Sequence, residues 1–127
     1  MIIRSKQEQF GANKGFACAL RWQKKLIGVI GANEINWSNR QITLGYWLSE
    51  AAQGQGLMSA AVAALVRHAL EDLKLQRIEI RCASENLKSR ALPERLGFTL
   101  EGRLRSAELL YGRFVDHCVY SKIAADS

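Results

Sequence analysis

The sequence predicts a single α+β domain: a mixed, mostly antiparallel sheet with one central β-α-β unit and a C-terminal hairpin. Three observations predict it. Strand-period runs fill the first part of the chain, and one stretch of helical period leads through a short connection into a further strand. Two final β-rich runs then meet at Tyr111-Gly112. A length of 127 residues suits one hydrophobic core and is short for two domains.

In order along the chain, Phe16 to Trp22 and Leu26 to Ile35 are β-rich runs divided by the polar Gln23-Lys24-Lys25, which reads as a hairpin turn. Asn36-Trp37-Ser38-Asn39-Arg40 gives a second turn. Gln41 to Leu48 follows as a strand, with Ile42, Leu44, Tyr46 and Leu48 at alternate positions. After Ser49-Glu50-Ala51-Ala52-Gln53-Gly54-Gln55-Gly56 the period changes. Val62, Leu65, Val66, Ala69, Leu70 and Leu73 form the stripe of an amphipathic helix that begins near Leu57. Lys74 to Gln76 connect it to a strand over Arg77 to Ala83, where Ile78, Ile80 and Cys82 alternate with other residues, most of them charged. Leu87 to Leu96 reads as a short helix closed by Gly97. Phe98 to Leu110 and Arg113 to Ile123 are the terminal hairpin.

The 48% hydrophobic and 24% charged content is that of an ordinary globular protein, and no run of eighteen apolar residues could span a membrane. The opening Met1-Ile2-Ile3-Arg4-Ser5-Lys6-Gln7 lacks the apolar stretch and cleavage site of a secretory signal, so cytoplasmic residence is expected. A net charge of +6 suits nucleic acid, an acidic partner or a phosphorylated cofactor. The Lys and Arg residues are scattered, however, so nucleic acid is not expected, and a solvated basic surface accounts for most of the excess. Cys18, Cys82 and Cys118 are widely spaced and odd in number, which reads as free buried thiols rather than disulfides or a nucleophile. His68 and His117 have no partners at ligand spacing, so no metal is expected.

Gln53-Gly54-Gln55-Gly56 lies between a strand and a helix N-terminus, where unpaired N–H groups and the helix dipole favour an anion. There is no Gly-Lys-Ser/Thr, and Ser59 or Ala60 stands where a dinucleotide fingerprint has its third glycine. Spacing alone leaves a tight turn and a helix start as an equal explanation of the glycines.

Gly45-Tyr46-Trp47-Leu48 followed by Gln53-Gly54-Gln55-Gly56-Leu57-Met58 resembles the acetyl-CoA motif of GNAT N-acetyltransferases, Q/R-x-x-G-x-G/A, with Met58 in place of the final small residue. Asn86-Leu87-Lys88-Ser89-Arg90-Ala91-Leu92-Pro93-Glu94-Arg95-Leu96-Gly97-Phe98 resembles the CoA-contacting helix of the ribosomal-protein serine/alanine acetyltransferase branch of that family. The resemblance runs from about Phe16 to Ile123. It implies a GNAT-like sheet whose β-α-β unit holds acetyl-CoA as cosubstrate. The implied contacts are Trp47, Leu48, Gln53, Gly54, Gln55, Gly56, Leu57, Met58, Ser59, Asn86, Ser89 and Arg90.

Acetyl transfer to an amine needs a neutral amine, a held thioester, a stabilised oxyanion and a protonated sulfur leaving group. An α-amine titrates near ~8 and a lysine near ~10.4, so a base must remove a proton at neutral pH. The resemblance implies Glu108 as that base, with a strand ion pair to Arg103 or Arg105 as its structural alternative. Glu34, Glu50 and Glu101 are held in reserve, Glu50 first because it ends the strand leading into the glycine loop. The resemblance implies Ser89 as the acid for the thiolate, with a capping serine as the alternative. The tyrosine acid of many GNAT enzymes falls on Pro93, which donates no proton. Pro93 also has no N–H to bond the Ser89 carbonyl, so the helix is expected to loosen at Ser89. Asn86 serves either the pantetheine or pyrophosphate arm or an Asx turn. The strand Gly45 to Leu48 is expected to splay from its neighbour and leave amides for the oxyanion. Trp22, Trp37 and Trp47 either shape the acceptor cleft or pack in the core.

The implied acceptor is a protein N-terminal α-amine. The alternatives are a small amine such as a polyamine, amino sugar or antibiotic, or a CoA-binding module without turnover. Family members usually begin with another strand and helices before the segment that starts here near Lys6. The chain therefore reads as N-terminally short, lacking the usual first strand and helix, and a homodimer is expected to cover the exposed edge of the first remaining strand.

Overall fold

A computed structural model describes residues 2–6, 14–22, 24–48 and 56–126. These residues form a seven-stranded sheet and two α-helices. The strands are β1 (Ile2–Lys6), β2 (Lys14–Trp22), β3 (Lys25–Asn36), β4 (Gln41–Leu48), β5 (Arg77–Ala83), β6 (Thr99–Leu110) and β7 (Arg113–Ile123). The helices are α1 (Leu57–Glu71) and α2 (Leu87–Arg95). The sheet order is β1-β2-β3-β4-β5-β7-β6, with β4 and β5 parallel and every other pair antiparallel. This is the mixed α+β sheet expected from the sequence.

The core follows from the two periodicities. Ile42, Leu44, Ile78 and Ile80 sit on one face of neighbouring strands, none more than 1% exposed. Met58, Ala61, Val62, Val66 and Ala69 of α1 are buried against them, and Leu65, Leu70 and Leu73 pack half-buried on the same cluster. The predicted stripe is thus the buried one, extended back a turn by Met58. Full burial of one such Val, Leu or Ile side chain stabilises the fold by roughly 1.5–3 kcal/mol. Leu92 and Pro93 anchor α2 on the same face, beside Tyr120 and Cys118. At the hairpin, Tyr111 (φ 50) and Gly112 (φ 80) both take left-handed backbone, the two-residue turn whose twist matches the flanking strands.

Two features differ from the sequence reading. Ile2–Lys6 forms a strand, paired with β2 from Ile2↔Arg21 to Lys6↔Ala17, where no element had been assigned. The edge expected to stand exposed on the Phe16–Trp22 run is therefore covered within the chain. β6 also carries register shifts between Leu100 and Gly102 and between Leu104 and Glu108. Those extra residues bend the strand away from a plain ladder.

Candidate active site

β4 and β5 pair from Gln41↔Arg77 to Leu44↔Ile80 and no further. β4 nevertheless stays paired with β3 as far as Gly28↔Leu48, and β5 with β7 as far as Ala83↔His117. The two strands therefore part while each remains held from its other side. The gap is walled by Gly45–Leu48 on one side and Arg81–Ala83 on the other, the splay that the family resemblance implied.

Tyr46 reaches out of the β4 wall to α2. Its hydroxyl donates to the Ser89 carbonyl oxygen at 2.8 Å and lies 3.8 Å from Cys82 Sγ. The Cys82 thiol donates to the same carbonyl at 3.4 Å. Burial, reinforced by Cys82, pushes the Tyr46 phenol well above its ordinary value, and burial likewise raises the Cys82 thiol. Both groups are protonated donors at neutral pH. Asn86 Oδ1 accepts from the Ser89 N–H at 3.1 Å, so Asn86 is the N-cap of α2. The Ser89 hydroxyl has no hydrogen-bond partner among the described residues.

The start of α1 offers an anion site. Gly56 takes left-handed backbone (φ 71) and its carbonyl accepts the first helical bond, from Ala60 N–H at 3.0 Å. No side chain caps that turn and no acidic residue lies in it, so the N–H groups of Leu57 to Ser59 have no intrahelical partner. A Cβ on Gly56 would meet nothing within 4 Å among the described residues, and the positive φ is what calls for glycine there. The Met58 side chain points into the core, which leaves its backbone for a ligand. Ser59 Oγ accepts from Arg95 Nη2 at 2.8 Å, which brings a guanidinium of α2 to the first turn of α1. Arg95 had not been singled out from sequence. Arg90, expected at the cofactor, turns inward: Nε donates to Tyr120 Oη at 3.0 Å and Nη1 to the Ser84 carbonyl at 3.1 Å, while Tyr120 donates to Glu94 at 2.8 Å.

Glu108 lies just past the second shift in β6, opposite Val115. Its Oε1 is 3.0 Å from His117 Nε2, and the carboxylate is 46% exposed. The ion pair anticipated with Arg103 forms elsewhere. Arg103 Nε donates to Asp116 at 2.7 Å, and Ser106 N–H donates to the other Asp116 oxygen at 2.8 Å, which holds Ser106 at φ 49. The Ser106 N–H and then Arg103 keep the Asp116 carboxyl below its usual range. His117 was missed as a partner, although the turn at Tyr111-Gly112 contained the signal: counting outward from it sets Glu108 opposite Val115, two residues from His117 on the same face. Alternation along β7 puts His117 on the opposite face from Cys118 and Tyr120. No hydrogen bond joins Ser89 to Glu108.

Among the reserve carboxylates, Glu101 accepts from both terminal nitrogens of Arg77, at 2.9 and 2.7 Å, and from Ser121 at 2.6 Å. Arg77 holds its carboxyl down at about 2. Arg77 and Arg81 also donate to Glu79, making a structural ion cluster. Glu34 is exposed at an irregularity in β3. Glu50, Gln53, Gly54 and Gln55 lie outside the described residues, as do the side chains of Cys18, Trp22 and Leu48. Trp47 is 57% exposed at the gap, whereas Trp37 packs against the core. Cys82 and Cys118 are free and buried. No described helix is long and apolar enough to cross a membrane.

Residues 1–99 match the acetyltransferase (GNAT) domain family. The chain is 35% identical over 120 residues to a putative ribosomal N-acetyltransferase of Bacillus subtilis, covering 94% of this chain and 66% of that protein. It is 41% identical over 101 residues to the ribosomal-protein-serine acetyltransferase of Escherichia coli, covering 80% and 56%. A spermidine N(1)-acetyltransferase of Vibrio cholerae is 31% identical over 94 residues, covering 74% and 54%. Among solved structures, a ribosomal L7/L12 alpha-N-protein acetyltransferase in complex with coenzyme A superposes with a TM-score of 0.84 at 34% identity, covering 90% of this chain and 64% of that one. The chain thus spans between about half and two thirds of the length of these relatives. With strands that part beside an uncapped helix start, and with this match over most of its length, the chain belongs to the GNAT acetyltransferase family.

Proposed function

We propose that the chain is an acetyl-CoA-dependent N-acetyltransferase whose acceptor is a protein N-terminal α-amine. The observation that carries this reading is the parting of β4 and β5 after Leu44 and Ile80, beside the open first turn of α1. That arrangement offers a slot with free backbone groups for an amide-rich arm and an anion site for its phosphates. Acetyl-CoA, when bound, supplies an activated acetyl thioester.

The residues divide the work as follows. The N–H groups of Leu57 to Ser59, with Arg95, take the phosphates. The backbone of Gly45–Leu48 that faces away from β3 receives the arm and the developing oxyanion. Glu108, paired with His117 and half exposed, accepts the proton of the acceptor amine. The Ser89 hydroxyl protonates the departing thiolate. The roles of Glu108 and Ser89 come from family resemblance; that, among the described residues, the Ser89 hydroxyl has no hydrogen-bond partner and Glu108 pairs with His117 and no arginine supports them.

The ribosomal-protein relatives favour a protein N-terminus as acceptor and, with it, a cytoplasmic reaction. The spermidine relative favours the second reading, a small polyamine. A homodimer is part of the same proposal. The edge strand β6 is exposed along most of its length, with Leu100, Leu104 and Leu109 among its exposed residues, and sedimentation reads the outcome. The test of function is free-thiol release from acetyl-CoA against peptides beginning with serine or alanine, polyamines and aminoglycosides. Release on the peptides is expected. Release on small amines alone moves the acceptor class, and binding of acetyl-CoA without any release replaces the enzyme by a CoA-binding module.

A further inference from the structure

Pro93 lies buried inside α2. In an α-helix the carbonyl of one residue accepts from the N–H four residues on, and proline has no N–H to give. The Ser89 carbonyl is therefore deprived of its helical donor in a part-buried place, where an unpaired carbonyl is costly. Its donors come from the strands instead. The Tyr46 hydroxyl reaches it at 2.8 Å from the open wall of the gap, and the Cys82 thiol, a weak donor, at 3.4 Å from the facing wall. Tyr46 is two residues beyond Leu44, the last position at which β4 touches β5 in the ladder.

We propose that Tyr46 is a positioning residue: its hydroxyl replaces the helical N–H that Pro93 lacks and so fixes the Ser89 backbone, and with it the Ser89 hydroxyl, against the open segment of β4. The inference rests on the reading of Ser89 as the acid. The bond also ties α2 across the gap at the level where the strands have ceased to hold one another. Because burial keeps the phenol protonated, this donor persists throughout the working pH range.

Tyr46→Phe removes one oxygen and leaves the ring, so the fold survives. It is expected to lower kcat by roughly tenfold, the scale of one lost hydrogen bond, while the KM for acetyl-CoA moves less. Pro93→Ala supplies the missing N–H at the helical position. The double variant Tyr46→Phe/Pro93→Ala is expected to regain most of the lost rate, although Pro93→Ala alone changes little. Amide exchange reads the same rescue without turnover: Tyr46→Phe speeds exchange over 87–95 and the second substitution restores it. A loss that Pro93→Ala does not reverse, in rate and in exchange, overturns the proposal. Ser89→Ala separates it from the reading beneath it. An unchanged kcat there overturns the acid assignment and with it the catalytic consequence of Tyr46. A slow Ser89→Ala enzyme beside an unaffected Tyr46→Phe enzyme overturns the role of Tyr46 alone.

Discussion

Over Gln41–Leu44 and Arg77–Ile80, β4 and β5 run paired, and the inward residues are Ile42, Leu44, Ile78 and Ile80, sealed under α1. Over Gly45–Leu48 and Arg81–Ala83 the same two strands run apart, and the residues there include a glycine, a tyrosine, a tryptophan open to solvent and a thiol. The contrast lies in what the side chains bind. Aliphatic pairs satisfy one another across the ladder, whereas Tyr46 directs its hydroxyl to α2. A gap is thus made by interrupting one ladder while β3 and β7 keep each wall in place, and it is this gap that the proposed function gives to acetyl-CoA. The sealed aliphatic packing lies in the paired half, and the proposed chemistry in the parted half.

The largest effect that tests this contrast is in the core. Ile80→Ala is expected to cost about 3 kcal/mol of unfolding free energy in a denaturant titration. Trp47→Ala, in the parted half, is expected to change stability by less than about 0.5 kcal/mol. Equal losses would erase the distinction. Next comes the proposed base: Glu108→Gln is expected to lower kcat about 100-fold while acetyl-CoA affinity, measured by calorimetry, stays within about twofold. A smaller change is expected for Arg95→Ala, a weakening of acetyl-CoA binding by roughly five- to tenfold together with a shallower dependence on salt, if the guanidinium at Ser59 meets a phosphate. An unchanged salt dependence assigns Arg95 to helix packing instead.

The smallest effect concerns the ion cluster beneath the paired half. Arg77 depresses the Glu101 carboxyl to about 2, below the ordinary value near ~4.3. A depressed carboxyl contributes stability that is present above the ordinary value and is lost as the pH falls toward the folded-state value. Glu101→Gln should therefore flatten the stability profile between about pH 4.5 and 2. With the carboxylate 41% exposed, the difference should stay below about 1 kcal/mol.

What could be read in advance follows the range of the interactions involved. The α1 stripe from Val62 to Leu73 and the alternation in β4, β5 and β7 are local patterns, and the elements appear where those patterns lie. β1 was not legible because a five-residue run with two cations becomes a strand only by pairing with β2, more than ten residues away. The second irregularity in β6, between Leu104 and Glu108, was hidden because its positive φ falls on Ser106, with no glycine to mark it. In the site, the open first turn of α1 and the splayed strand were anticipated from the motifs. The partners were not: Arg90 meets Tyr120 thirty residues on, and Tyr46 meets Ser89 across forty-three, contacts that exist only once the sheet has formed. The missing helical bond at the Ser89 carbonyl was visible in Pro93 and read as a loosened helix; that Tyr46 and Cys82 would supply its donors was not.

The most direct measurement is a calorimetric titration of the wild-type chain and of Gly56→Glu with acetyl-CoA. Glu at position 56 sets a side chain on left-handed backbone and a negative charge at the anion site, where the phosphates would lie. The expected result is one molecule bound per chain in the wild type and no detectable binding in the folded variant. Absence of binding to the wild type, or equal binding to both, would contradict the assignment of the gap and the α1 start to acetyl-CoA.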